Sequence, residues 1–281
     1  MSKSVRAARL VAVGILIGWS ATQIYFRISA WSLSDMDAYW NAALRLRSGE
    51  PLFPALVDTS APDVYRYSPW FAAAWVPFTH LPKAFMAIAW SAILLVASYW
   101  CVRPLLRRDL ASIAAVVFFG SFLIWGTSIG NVQPLMIAAL MHGMERRSGP
   151  LWIGVAASLK AVPILFLLVY LGRGEWRRAG AGLLVAASLS AATLLVDLTH
   201  YPSGPGDAPS PLFLVSPLLL GAAVTVVAGI TLMQARRRSP FDRLAAAGAA
   251  LTALPRITLL DLPMLLVGLR PTQTNRSKAR Q

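Results

Sequence analysis

Five long apolar segments restrict the fold of this chain more than any other feature. They run over residues 10–28, 84–102, 111–128, 180–198 and 211–233. Each approaches the roughly 20 residues that an α-helix needs to cross a bilayer core of about 30 Å. The segments are continuously apolar and do not alternate with polar residues, which indicates helices and not strands. The sequence therefore predicts an all-α, polytopic transmembrane helical bundle.

Charged residues are few but strongly biased towards base. Lys and Arg number 26 against 12 Asp and Glu, yet all charged residues make up only 14% of the 281, where a soluble chain has about 25%. In a membrane protein, basic residues near the ends of spans mark the cytoplasmic side. The charge therefore indicates membrane lipids and no nucleic acid as partner, with cytoplasmic clusters at 103–108, 146–147, 173–178, 236–238 and 270–280.

The domain organisation follows from this topology. Residues 1–270 are predicted to form a single integral membrane domain, and 271–281 a disordered basic cytoplasmic tail. Residues 31–82 would be a long first extracytoplasmic loop with short surface helices. One helix is expected over 35–47, with Ser34 as its N-cap and Gly49 at its end. The stretch 70–81 is expected to lie in the outer interface.

Two apolar stretches, 150–172 and 243–270, are basic at both ends. A single crossing would place one basic cluster outside. We therefore predict a pair of short helices in each, with breaks at 160–163 and 255–256, since proline disfavours helix at the residue before it. Residues 132–145 are expected to be a full span. A broken helix at membrane depth is tolerated only where it is buried in protein or lines a wet cavity.

Lys160 and Arg256 lie at these two breaks, within apolar sequence. An ionisable residue in such a segment is energetically costly and usually functional. Both are candidates for binding a phosphate or pyrophosphate, because a low dielectric strengthens the attraction. The alternatives are that each reaches the outer headgroups or pairs with a carboxylate such as Asp261.

Asp35 and Asp37 open the outer loop. A carboxylate here could act as general base and take a proton from an attacking hydroxyl. Alternatively, either could merely favour the first turn of a surface helix. Two residues at i and i+2 do not share a helix face, so one is expected to carry chemistry and the other to be solvated or structural. Spacing alone does not choose between them.

Aromatic and polar residues around the outer loop could bind a sugar. The aromatic residues favour an interfacial belt for most members, although aromatic faces also suit sugars. The turn 130–134 could hydrogen-bond hydroxyls or be a tight connection. The sequence has no metal-ligand spacing and no nucleotide-binding loop, so we expect no metal and no cofactor. The aromatic residues are Tyr65, Tyr67, Trp70, Trp75 and Trp90.

Several motifs, in order, resemble glycosyltransferase family 87. They are DMDAYWNAA from Asp35, GEPLF from Gly49, YRYSPWF from Tyr65, GNVQPL from Gly130, LKAVP from Leu159 and LPRI from Leu254. Members of that family are polyprenyl-phosphate-sugar-dependent mannosyl- and arabinosyltransferases with the C-type glycosyltransferase membrane fold. This chain would be a short or divergent member.

The resemblance implies an inverting transfer from a polyprenyl-phosphate sugar to an envelope glycan or glycolipid, outside a bacterial-type plasma membrane. It implies Asp35 as general base, since Asp35 stands four residues before the loop tyrosine, with Asp37 in support. Lys160 would bind the donor phosphate together with Arg256. The short chain leaves a non-catalytic lipid-linked-sugar carrier or degenerate partner subunit as the alternative. The candidates for substrate binding are Tyr39, Tyr65, Arg66, Tyr67, Asn131 and Gln133.

Overall fold

The computed structural model describes residues 3–30, 33–55, 61, 63–202 and 208–270; the predicted tail at 271–281 lies outside them. The first seven α-helices are α1 Lys3–Ala30, α2 Ser34–Ser48, α3 Pro69–Trp75, α4 Lys83–Val102, α5 Leu110–Ser128, α6 Gln133–Gly143 and α7 Gly149–Leu159. The others are α8 Leu167–Gly172, α9 Trp176–Ser190, α10 Pro211–Val215, α11 Pro217–Arg236, α12 Asp242–Thr252 and α13 Leu265–Leu269. Short 3₁₀ segments are Val76–His80, Val162–Phe166, Ala191–Leu195 and Leu262–Met264.

Within the described residues, five helices are long and apolar enough to cross a membrane. This confirms the predicted all-α, polytopic membrane fold, since the five correspond to the five apolar segments of the sequence. The chain is therefore an integral membrane protein. The five helices are Ser4–Arg27, Lys83–Val102, Leu110–Ser128, Trp176–Leu195 and Pro217–Arg236.

Three further helices, α6, α7 and α12, have 11 residues each. At 1.5 Å per residue each is about 16 Å long, which is about half of a bilayer core. The predicted full span over 132–145 is therefore wrong. A tight turn delays the start of α6 to Gln133, and after Gly143 the chain turns, with the Arg146 N–H donating to the Gly143 carbonyl at 2.8 Å.

The predicted break in 150–172 is confirmed. Lys160 has extended backbone angles at the end of α7, and a 3₁₀ segment follows at Val162. The two ends of this hairpin meet, because Arg178 donates to the carbonyls of Met144 and Arg146 at 3.0 and 2.7 Å. The basic clusters on both sides of the hairpin therefore lie at one end of the molecule.

Other contacts bring the remaining basic clusters to that same end. Arg173 pairs with Asp242 at 2.7 Å, Arg108 donates to the Leu269 carbonyl at 2.7 Å, and His142 bonds to the Trp100 carbonyl at 2.9 Å. We call this the basic end, formed by residues 100–109, 142–148, 173–178, 236–243 and 269–270. Its charge pattern is the one expected of a cytoplasmic face.

Helix α2 lies beyond the opposite end of the half-length helices. Gly49 ends it in the left-handed conformation, with φ 73°, as predicted. The expected Ser34 N-cap is wrong by one residue: Leu33 is the N-cap and makes no side-chain bond. A tertiary contact supplies the missing partner, since the Asp35 N–H donates to the Ile129 carbonyl at 2.9 Å.

The expected short helix over 70–81 is present as α3 and the 3₁₀ segment after it. Pro69 at its first position fits the start of a helix, where its missing N–H costs nothing. This segment packs against α2. The segment between α1 and α4 therefore contains a folded layer of short helices where it is described.

Candidate functional site

A tight turn between α5 and α6 anchors the start of α2. Gly130 has φ 78°, and a Cβ there would overlap Met36. Its carbonyl accepts a 2.7 Å hydrogen bond from Trp90 Nε1. Glycine thus allows both the left-handed turn and the close approach of α2. The turn was one of two interpretations of the sequence, and it fixes Asp35 beside Asn131.

Asn131 presents its amide nitrogen to Asp35. Its Oδ1 accepts the Gln133 N–H at 2.8 Å, which leaves the NH₂ group to donate to the Asp35 carboxyl, with which Asn131 forms a side-chain hydrogen bond. Asn131 is buried. A charge-assisted bond of this kind orients the Asp35 carboxylate.

Lys160 occupies the end of α7, where a cation is favoured by the helix dipole. Its Nζ donates to Gln133 Oε1 at 2.7 Å and to Asp261 Oδ1 at 3.3 Å. The side chain is 26% exposed, so a ligand can still reach it. The sequence left pairing with Asp261 open as an alternative, and the structure has that pair.

Asp261 is itself held in place by the segment that carries Arg256. Its Oδ2 accepts from the backbone N–H and the hydroxyl of Thr258, at 3.0 and 2.9 Å. This segment is tied to the loop before α10, since Ser210 N–H donates to the Pro255 carbonyl at 2.8 Å and Ile257 N–H to the Ala208 carbonyl at 3.1 Å. Nothing in the sequence pattern indicates this contact.

Gln133 has one donor without a partner beside Lys160. Its side chain is buried, its Oε1 is taken by Lys160, and its Nε2 is buried with no hydrogen-bond partner among the described residues. A buried polar group without a partner is costly. The amide and the ammonium group together are a pair of donors suited to an anionic oxygen.

Electrostatics set the Asp35 carboxyl apart from an ordinary surface acid. Burial raises its pKa to about 6 from the usual 3.8, and the opposing effects of Lys160, the Asn131 hydrogen bond, Arg66 and Arg256 keep it from rising further. Near neutral pH the group is mainly ionised and still a usable proton acceptor. A base with a pKa close to the working pH is the efficient choice for proton transfer.

We call Asp35, Asn131, Gln133, Lys160 and Asp261 the site cluster. Arg66 and Arg256 act on its carboxyl through their charge. The backbone of Arg66 is fixed by Tyr201, whose hydroxyl donates to the Arg66 carbonyl at 3.2 Å. Among the described residues, no three His, Cys, Asp or Glu side chains are placed to bind a metal.

Asp37 lies apart from the site cluster. It pairs with Lys83 at 2.8 Å and lines a groove of about 480 Å³ with residues of α1, α4 and α5, including Arg27. The two acids thus have different partners, as expected for residues two positions apart on a helix. Asp37 therefore lies in a different environment from Asp35, beside Lys83 and away from the site cluster.

The aromatic residues form a core and not the expected belt. Tyr39 is fully buried, and its ring contacts Tyr65, Tyr67, Trp75 and Trp90. The belt prediction is wrong for these four, because they pack the short helices onto α4. The one remaining predicted member, Trp70, is half-buried and donates to Ser158 Oγ at 3.1 Å.

The hydroxyls of the candidate tyrosines are mostly occupied. Tyr39 accepts from the Val132 N–H at 3.2 Å, and Tyr65 donates to the Ser68 carbonyl at 2.6 Å. Tyr67 hydrogen-bonds to Tyr39. These tyrosines therefore pack against the turn and α2 and hold them in place. Of the candidates for substrate binding, Asn131 and Gln133 belong to the site cluster itself.

Fold and site together define a helical integral membrane protein with a charged, partly buried site at the ends of three half-length helices. The sequence model of glycosyltransferase family 87 matches residues 65–204, about half of the chain, and the chain belongs to that family. It is a glycosyltransferase. The matched region contains Arg66, Asn131, Gln133 and Lys160, while Asp35 precedes it. No curated protein and no solved structure matches the chain significantly.

Proposed function

We propose that the chain is an inverting glycosyltransferase that moves a sugar of the mannose or arabinose class from a polyprenyl-phosphate donor to a hydroxyl of an envelope glycan or glycolipid. The observation that supports it best is the convergence of Lys160, Asn131 and two arginines on the half-buried Asp35 carboxyl. A base and an anion site are thus neighbours, as transfer from a sugar phosphate requires.

In the proposed reaction, the acceptor oxygen attacks the anomeric carbon from the face opposite the phosphate. Its proton passes to Asp35 as the new carbon–oxygen bond forms. The bond between the anomeric carbon and the phosphate oxygen breaks, and polyprenyl phosphate leaves with the bonding electrons. We assign to Lys160, with the unpartnered amide nitrogen of Gln133 beside it, the stabilisation of the charge that develops on that oxygen. The step needs no metal and no cofactor from the protein.

Charge balance supports this assignment. Lys160, Arg66 and Arg256 face the two carboxylates Asp35 and Asp261, which leaves one net positive charge. A donor phosphodiester carries one negative charge, and the leaving monoester carries up to two. When Asp35 accepts the proton, the site gains one positive charge as the phosphate gains one negative charge. The low dielectric of the site makes this compensation valuable.

Lysine variants test the phosphate role. Purified protein in proteoliposomes is given synthetic polyprenyl-phosphate mannose or arabinose with a hydroxyl acceptor, and the anomeric configuration of the product is determined by NMR. Lys160→Gln should raise the donor KM at least about tenfold, whereas the matched Lys83→Gln, which removes the lysine paired with Asp37, should stay within about twofold. Equal effects would contradict the phosphate assignment. Donor movement across the bilayer with no transfer in wild type would favour the carrier.

The same proposal places the site on the outer side of the plasma membrane and the basic end in the cytoplasm. Single cysteines at Ser148, Arg177 and His200 in a Cys101→Ser background test this orientation; all three positions are exposed. An impermeant maleimide added to intact cells should label position 200 and neither of the others. Labelling of position 148 or 177 from outside would overturn the orientation.

A further inference from the structure

An apolar groove at the basic end is not used by the proposed reaction. It has a volume of about 820 Å³ and runs between α4 and α6, within the size range of ligand pockets. Its lining includes four alanines, at 92, 97, 138 and 139, and two indole rings, those of Trp100 and Trp152. The groove extends from Ala92 and Leu135 to Arg103 and Arg146, and no residue of the site cluster lines it.

Specific contacts fix the walls of the groove. A Cβ at Gly143 would overlap the Trp152 ring, so only glycine lets that indole close against α6. Trp152 Nε1 donates to Ser148 Oγ at 3.0 Å, which fixes the ring as a wall. On the other side the Trp100 carbonyl bonds to His142. A slot between helices with such walls fits an extended hydrocarbon chain.

Two cations stand where the groove reaches the basic end. Arg103 and Arg146 both line it, and both are exposed. Arg103 lies over the Tyr99 ring at 5.9 Å, and neither forms an ion pair within the part of the chain that the structure describes. By contrast, Arg173 and Arg178 at the same end are paired with carboxylates. The groove therefore combines an apolar slot with uncompensated positive charge at one end.

We propose that this groove binds one phospholipid with an anionic headgroup, with an acyl chain between α4 and α6 and the phosphate between Arg103 and Arg146. Charge complementarity identifies the occupant, because basic pockets between helices at a cytoplasmic face bind anionic lipid headgroups. The guanidinium groups can hydrogen-bond phosphate oxygens in pairs. A zwitterionic lipid offers the same chains without the net charge, so the site should select by headgroup.

Native mass spectrometry of the full chain, titrated with dioleoyl phosphatidylglycerol or dioleoyl phosphatidylcholine, tests the site. Wild type should retain the anionic lipid with at least tenfold preference. The double variant Arg103→Gln/Arg146→Gln should lose about tenfold in affinity for it. The double variant Arg107→Gln/Arg147→Gln removes the same charge from the same end outside the groove, and it should bind within about twofold of wild type.

A variant that leaves the charge intact tests whether the acyl chain lies in the apolar groove. Ala139→Leu fills the slot and should also lower phosphatidylglycerol retention severalfold, while inorganic phosphate should not displace the lipid. Thermal melting of each variant shows that it is folded. Equal losses in the two arginine pairs, equal retention of both lipids, or unchanged binding in Ala139→Leu would each overturn the site. None of these results depends on transferase activity.

Discussion

Two charged clusters lie at opposite ends of the half-length helices, and they differ in the residues that surround each buried charge. The site cluster combines lysine and amide groups with two carboxylates. The second, which we call the basic-end cluster, consists of Glu145, Arg173, Asp242 and Arg243. Arg173 binds Asp242 through two nitrogens, at 3.0 and 2.7 Å, and reaches Glu145 at 3.3 Å. It joins α8, α12 and the turn after α6.

The two clusters differ in what remains open to a ligand. In the basic-end cluster, Asp242 and Arg243 are almost fully buried and the Arg173 side chain is only 12% exposed, while Asp242 Oδ1 and Arg243 Nε have no hydrogen-bond partner among the described residues. In the site cluster, Lys160 is partly exposed and the Gln133 amide nitrogen has no partner among the described residues. Burial of charge alone therefore does not identify a site. Both clusters contain buried polar atoms without a partner, so the difference lies in the cation: Lys160 is 26% exposed, whereas Arg173 is 12% exposed.

Asp35→Asn should have the largest effect on activity. Loss of a general base costs about 10²- to 10⁴-fold in rate, and the fold should be unharmed because the change removes a half-buried charge and keeps the shape of the side chain. Asp37→Asn, two residues along the same helix, is the matched control and should retain activity within a few-fold. Initial rates and thermal midpoints of both purified variants check this. Similar losses in both would remove the distinction between the two acids.

Arg173→Gln should have the largest effect on stability. Breaking a buried ion pair leaves Asp242 without its main partner and costs about 3–5 kcal/mol. The thermal midpoint should fall by roughly 6 °C or more. Arg177→Gln, at an exposed position four residues away, should shift it by less than about 2 °C. A stable Arg173→Gln protein with lost transfer activity would mean that the basic-end cluster is functional.

Asp261→Asn should have a smaller effect than these two variants, and the quantity it changes should be donor binding. It keeps an acceptor for Lys160 but removes a negative charge that repels the donor phosphate. We expect the donor KM to fall about threefold to tenfold with no rise in kcat, since the dianionic product also binds more tightly. Steady-state kinetics and polyprenyl phosphate inhibition measure this. A higher donor KM would show that Asp261 mainly positions Lys160.

The sequence predicted the features that depend on local composition. The five spans, the hairpin break at Lys160 and the gathering of basic clusters follow from hydropathy, proline and charge within single segments. The full span at 132–145 failed because hydropathy does not register the turn at Gly130 or the early end of α6. The aromatic belt failed because Tyr65 and Tyr67 pack on Tyr39 of α2, and Trp75 packs on Trp90 of α4; hydropathy within one segment does not register such contacts.

The candidate site was only partly accessible from the sequence. Lys160 and Asp35 stood out as charged residues in unusual surroundings, whereas the open amide of Gln133 depends on where Lys160 points. The backbone pairing of 208–210 with 255–257 and the basic-end cluster join segments tens of residues apart. Such contacts leave no periodic pattern, so residue type and spacing do not reveal them.

The pH dependence of kcat/KM tests the central claim most directly, because it reports ionisation of the free enzyme without any mutation. Asp35 must lose its proton to act as a base, and burial raises its pKa to about 6. The rate constant should therefore rise about tenfold per pH unit below that value and level off above it. The donor phosphodiester stays ionised throughout this range. A profile that is flat from pH 5 to 7 would contradict Asp35 as the base.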